Sequence, residues 1–145
     1  MKRFDFPLER VLRWRREQAS LEEIKLQQLR SEVAQIQAAR RQIESERAES
    51  ESHVLTRGSI DPASLESLDS YRQYVAGKIR QLENRKRQWE AKINEQLNRV
   101  IAARRQFELL ERLKQTALQE WHASMNKEQE ELAAELFLAK SRRKT

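Results

Sequence analysis

Apolar residues recur three and four positions apart along most of this chain. The first stripe is Leu8, Leu12, Ala19, Leu26, Leu29, Val33, Ile36, Ile43 and Val54. The second runs through Leu65, Leu68, Val75, Ile79, Leu82, Trp89, Ile93, Val100, Ala103, Phe107 and Leu110. Steps of three and four average about 3.5 residues, the repeat of helices that supercoil around a partner helix. The stripes are broken once, at Arg57-Gly58-Ser59-Ile60-Asp61-Pro62. The pattern predicts an all-α fold, an antiparallel two-helix coiled-coil hairpin with a longer second helix.

The interruption has the chemistry to end one helix and begin another. Gly58, lacking a Cβ, suits the left-handed position after a helix. Asp61 suits the N-cap and Pro62 the first helical residue, where a missing N–H costs nothing. Ile60 and Leu65 have the spacing of a hydrophobic staple. Pro7 marks the first turn of helix one in the same way. Helix one is expected over residues 8–56, the turn over 57–62, helix two over 63–140 and a basic tail over 141–145, all in a single domain, 1–145.

A turn centred near Ser59–Ile60 pairs residues whose numbers add to about 119. Helix one is then matched only as far as Leu110, and helix two overhangs beyond about residue 111. That overhang, on the order of 45 Å long, repeats Leu113, Leu118, Trp121, Met125, Leu132 and Leu136. It reads either as a partner surface or as a terminus that folds back or frays. Two positions depart from an ideal coil. Arg47 and Arg72 share a seam layer and should repel unless Glu44, Glu51 or Asp69 reaches across. Gly77 lies inside helix two at a cost of about 1 kcal/mol relative to alanine. Local rules tend to break where a protein binds something, so this half is a candidate functional region.

Composition narrows the possibilities. Of 145 residues, 36% are charged and only two are glycine and two proline, the mix of a long helix or coiled coil. A two-helix seam has no wide core in which to enclose a catalytic cavity. No cysteine is present, which removes disulfides and thiolate metal sites and fits a reducing cytosol. Met1 to Pro7 lacks the apolar core of a signal peptide, and no run approaches the roughly 18–20 apolar residues of a membrane span. A soluble, intracellular protein is the expectation. The net charge of +6 is unevenly spread. Arg72 to Arg105 holds ten Lys/Arg against three Glu, whereas Glu44 to Glu51 holds four Glu and only Arg47. Opposite charges on neighbouring helices support their pairing near the loop.

Catalytic vocabulary is missing. Gly58 and Gly77 cannot build a phosphate loop. Glu49 and His53 share a face at i, i+4, where a two-ligand metal site can be imagined, but a solvated surface histidine is the ordinary reading. Pairs such as Glu128/Glu131 sit on exposed turns without the enclosure that shifts a pKa. No enzyme activity, cofactor, metal or small-molecule substrate is expected. The basic face of helix two could neutralise phosphates, yet no base-reading motif accompanies it. Arg10, Arg13, Arg15 and Arg16 around Trp14 could mark a membrane-surface helix. Because Trp14 and Val11 lie off the main stripe, they read better as a protein-docking feature.

Two segments resemble a known family. Phe4-Asp5-Phe6-Pro7-Leu8-Glu9-Arg10-Val11-Leu12 is similar to the F-x-F-x-L-x-x-V/L-L opening of the flagellar FliJ family. Leu68-Asp69-Ser70-Tyr71-Arg72-Gln73-Tyr74-Val75 resembles that family's L-x-x-Y-x-x-Y/F-V/L segment. The resemblance implies a cytoplasmic component of the flagellar type III export apparatus, associated peripherally with the inner membrane at the flagellar base. It implies a stalk between the hexameric export ATPase FliI and the cytoplasmic domain of the export-gate protein FlhA, and leaves open contact with export chaperones. Carried over to this chain, it puts Tyr71, Tyr74, Val75 and Lys78 at the gate-contacting tip. Phe4, Leu8, Leu12, Trp14, Trp121 and Met125 fall at the ATPase end. One departure bears on the tip, since Glu44 to His53 lacks the aromatic that family members often place opposite it. The competing classes are a generic or homodimerising coiled-coil scaffold and a basic nucleic-acid-binding rod. The stalk reading expects mainly monomer.

Overall fold

In the computed structural model, which describes residues 2–58 and 61–144, the chain forms two helices. α1 is Glu9–Leu55 and α2 is Pro62–Arg143, of 47 and 82 residues. The helices pack against each other as a helical hairpin, and there is no strand among the described residues. The chain divides into two compact units, Leu21–Val100 and the pair Met1–Ser20 with Ile101–Thr145.

The unit Leu21–Val100 contains the hairpin turn. Leu26 and Ile36 of α1 and Leu68, Val75 and Val100 of α2 are buried, all on the stripes that the 3.5-residue repeat marks out. α2 starts as its sequence requires. The Ser64 N–H donates to Asp61 Oδ1 at 2.7 Å and the Leu65 N–H to the Asp61 carbonyl at 3.3 Å, so Asp61 is the N-cap. The backbone hydrogen bond from Ser64 holds the Asp61 carboxyl below its ordinary pKa. The end of α1 differs from expectation. Gly58 does not take the left-handed conformation. Instead the Thr56 N–H and hydroxyl both donate to the Ser52 carbonyl, at 3.0 and 2.7 Å, and the hydroxyl also reaches the His53 carbonyl at 3.4 Å. Ile60, half of the expected staple, and Ser59 at the expected turn centre lie outside the described residues.

The expected arginine conflict is resolved by one carboxylate. Arg72 Nε donates to Glu51 Oε1 at 2.9 Å, and Arg47 Nε lies 3.8 Å from the same oxygen. Arg40 likewise reaches Glu83 across the seam at 3.0 Å and Glu44 on its own helix at 3.1 Å. The partners in Arg40–Glu83 and Arg72–Glu51 have numbers adding to 123 rather than about 119. Helical side chains lean toward their own N-terminus, so antiparallel partners meet from positions beyond the backbone level on each helix. Gln96 is buried on the seam and donates through Nε2 to the Glu22 carbonyl at 2.9 Å and to the Glu22 carboxylate.

A Cβ on Gly77 would meet nothing within 4 Å. Gly77→Ala should therefore raise unfolding stability by about 0.5–1 kcal/mol, through lost backbone freedom in the unfolded chain. Urea denaturation followed by circular dichroism checks this; a lower midpoint at unchanged slope would show that the position needs glycine.

In the second unit, Phe6, Leu12 and Ala19 are buried. Pro7 and Leu8 form a turn ahead of α1, in which the Glu9 N–H donates to the Phe6 carbonyl at 3.1 Å. α2 is not free of partners beyond residue 111, as the register had implied. Lys114 Nζ pairs with Glu9 at 2.9 Å, and Trp121 Nε1 donates to the Lys2 carbonyl at 3.2 Å. The physical reason is the non-helical segment before Pro7. Residues 2–6 run alongside α2 ahead of α1 and continue the same count, since Lys2–Trp121, like Glu9–Lys114, adds to 123. Residues 126–143 of α2 are exposed on every side.

Candidate partner-binding surfaces

Within Leu21–Val100, the start of α2 presents Tyr71, Tyr74 and Lys78 along one face, spaced i, i+3 and i+7. Tyr71 is half-buried over a shallow groove of about 350 Å³, shared with Ser50, Val54, Ala63, Ser67 and Leu68. Tyr74 is 61% exposed, and Lys78 Nζ lies 5.7 Å from its ring centroid. A cation at that distance is attracted to the ring by about 0.5–1 kcal/mol at an exposed site. Val75, expected beside these three at the tip, does not join them. It is 1% exposed and belongs to the helix seam. One step along a helix rotates a side chain by about 100°, which carries Val75 from the tyrosine face to the inner one.

The unit formed by Met1–Ser20 and Ile101–Thr145 gathers the other expected residues. Phe4 and Trp121 meet edge to face, with centroids 6.0 Å apart and planes at 62°. The His122 ring stands 5.1 Å from Trp121, its plane at 67°. Met125, one helical turn beyond Trp121, is half-buried. Leu8 and Trp14 are exposed, and the Arg15 guanidinium covers the Trp14 ring at 4.6 Å. Leu12, expected on the same surface, is 1% exposed and is a core residue. Around these rings, Arg16 reaches both Glu111 at 3.9 Å and the Phe107 ring at 5.3 Å. The Lys114 hydrogen bond holds Glu9 below the ordinary carboxylate pKa.

Two further residues escaped the periodic reading. Phe6 is buried, and the signal for it was the Phe4-x-Phe6 alternation, which places both rings on one side of an extended segment. Gln96 occupies a seam position seven residues from Trp89 and four from Val100, but a polar side chain does not register in an apolar count. Glu49 and His53 are exposed, and among the described residues no three His, Cys, Asp or Glu side chains gather as metal ligands.

The model of the flagellar FliJ protein family matches residues 4–143. The chain belongs to the FliJ family. No curated protein and no solved structure matches it. Membership makes this FliJ-family chain a component associated with flagellar export, in a family that is not catalytic. No helix among its described residues is long and apolar enough to cross a membrane.

Proposed function

We propose that this FliJ-family chain is a non-enzymatic stalk that links the export ATPase FliI to the cytoplasmic domain of the export gate FlhA and so promotes flagellar protein export. The supporting observation is the family match across residues 4–143 on a two-helix hairpin with aromatic surfaces in each unit. Paired helices with continuous backbone hydrogen bonding resist bending, so they can pass position or torque between partners without a catalytic group. Hydrolysis belongs to the ATPase. Tyr71, Tyr74 and Lys78 form the gate-contacting surface, with Val75 supporting it from beneath. Phe4, Leu8, Trp14, Trp121 and Met125 serve the ATPase end, with Leu12 as their buried anchor. The protein works on the cytoplasmic side of the inner membrane at the flagellar base.

The test is binding of the purified chain to the export ATPase and to the gate's cytoplasmic domain. Failure with both, from a chain of full helicity, removes the stalk reading. The double change Tyr71→Ala and Tyr74→Ala should weaken gate binding by about ten-fold or more, because exposed aromatics dominate such contacts. Helicity and ATPase binding should stay within error. Unchanged gate affinity would reject the tyrosine face as the contact.

A further inference from the structure

One exposed face of α2 carries a regular ladder of cations: Lys78, Arg85, Lys92 and Arg99, each seven residues after the last. Gln81 and Gln88 fill the steps between, and Glu95 is the one carboxylate on the same line. Several other cations pair with a carboxylate three or four residues away on their own helix, as in Arg13–Glu9, Lys25–Glu22, Arg40–Glu44 and Lys86–Glu90. In the ladder only Glu95 has that spacing, three residues after Lys92 and four before Arg99. Lys78 and Arg85 have no Asp or Glu three or four residues away in either direction. None of the four forms an ion pair among the described residues. Lys78 lies over the Tyr74 ring and Lys92 over the Trp89 ring, the latter at 4.5 Å.

Seven residues are two helical turns, so the rungs stand about 10 Å apart in a nearly straight row about 32 Å long. A charge row of that period is complementary to a helix with a carboxylate at each heptad. It fits a nucleic-acid duplex poorly, because the phosphate backbone winds through a full turn in about 34 Å and crosses a straight row only at intervals. We infer that this face of α2 docks an acidic helical segment of a partner protein, laid alongside Lys78 to Arg99 with its carboxylates in heptad register. The surface lies beyond the tyrosine face and shares only Lys78 with it. The interaction is one of charge and register, salt-sensitive and fast to form.

The probe is a synthetic helical peptide of about four heptads with glutamate along one stripe. Its control has the same composition with the glutamates spread around the helix. Anisotropy titrations with the full chain at about 0.1 M salt should show the striped peptide binding at least ten-fold more tightly than the control. Changing Lys78, Arg85, Lys92 and Arg99 together to glutamine should remove that preference while helicity is retained. Changing Arg80 and Arg87, on another face of α2, to glutamine should leave it within two-fold. Equal binding of both peptides, or loss of binding in the Arg80/Arg87 variant alone, overturns the inference. Tighter binding of duplex DNA than of the striped peptide also overturns it, in favour of a polyanion surface.

Discussion

Val75→Asp is expected to destabilise the protein by about 3 kcal/mol or more. The native side chain is 1% exposed. The new carboxylate would enter a seam whose nearby cation on α1, Arg47, already pairs with Glu51. Arg72, one turn earlier, is engaged by Glu51 at 2.9 Å, and Lys78, one turn later, faces outward over Tyr74. Urea unfolding followed at the helical circular dichroism band checks the value. A change under about 1 kcal/mol, the ordinary range for a surface substitution, would place Val75 outside the core. The point bears on any functional assay of the L-x-x-Y-x-x-Y-V segment. On the proposed function, loss of gate binding in a Val75 variant would report unfolding, whereas loss in a Tyr74 variant would report the contact surface.

Leu12→Ala should cost about 3 kcal/mol, and Leu8→Ala less than about 1 kcal/mol, although both belong to the same family opening. Leu12 is 1% exposed while Leu8 is 41% exposed, so truncation leaves a cavity only at the first. The same unfolding experiment, run on both variants, distinguishes them. Equal losses would mean that the turn at Pro7–Leu8 packs as tightly as the helix it precedes. If Leu8 serves the ATPase end, Leu8→Ala should weaken ATPase binding with little change in stability. Leu12→Ala should lower both together.

Much of this architecture was legible because a two-helix seam is written locally. The 3.5-residue stripe carries the helical state and the inward face at once. Leu26, Ile36, Leu68, Val75 and Val100 are buried where that stripe puts them. Asp61-Pro62 likewise encodes its helix start by local chemistry, an acceptor for the Ser64 N–H followed by a residue with no N–H to satisfy. Family membership was legible from the aromatic opening and the tyrosine pair, short segments that coiled-coil periodicity does not require.

Several features depended on groups distant in sequence. Periodicity assigns a residue to a face but not to a neighbour across the seam. It could pose the Arg47–Arg72 conflict without selecting Glu51 as its resolution. It could not show that Gln96 finds a carbonyl and a carboxylate on Glu22, because a polar seam residue is tolerable only when a particular partner is in reach. The reach of Lys2 to Phe6 along α2 was hidden for another reason. A non-helical segment has no repeat from which to read its path, and its course rests on Phe4, Phe6 and the Trp121 hydrogen bond. The sequence by itself thus determined the two helices, their inward faces and the family. Tertiary structure alone decided which charges neutralise one another, how far the N-terminal segment accompanies α2, and which motif residues are surface rather than core. The first set follows from backbone hydrogen bonding and local side-chain spacing; the second follows from contacts that exist only once remote segments meet.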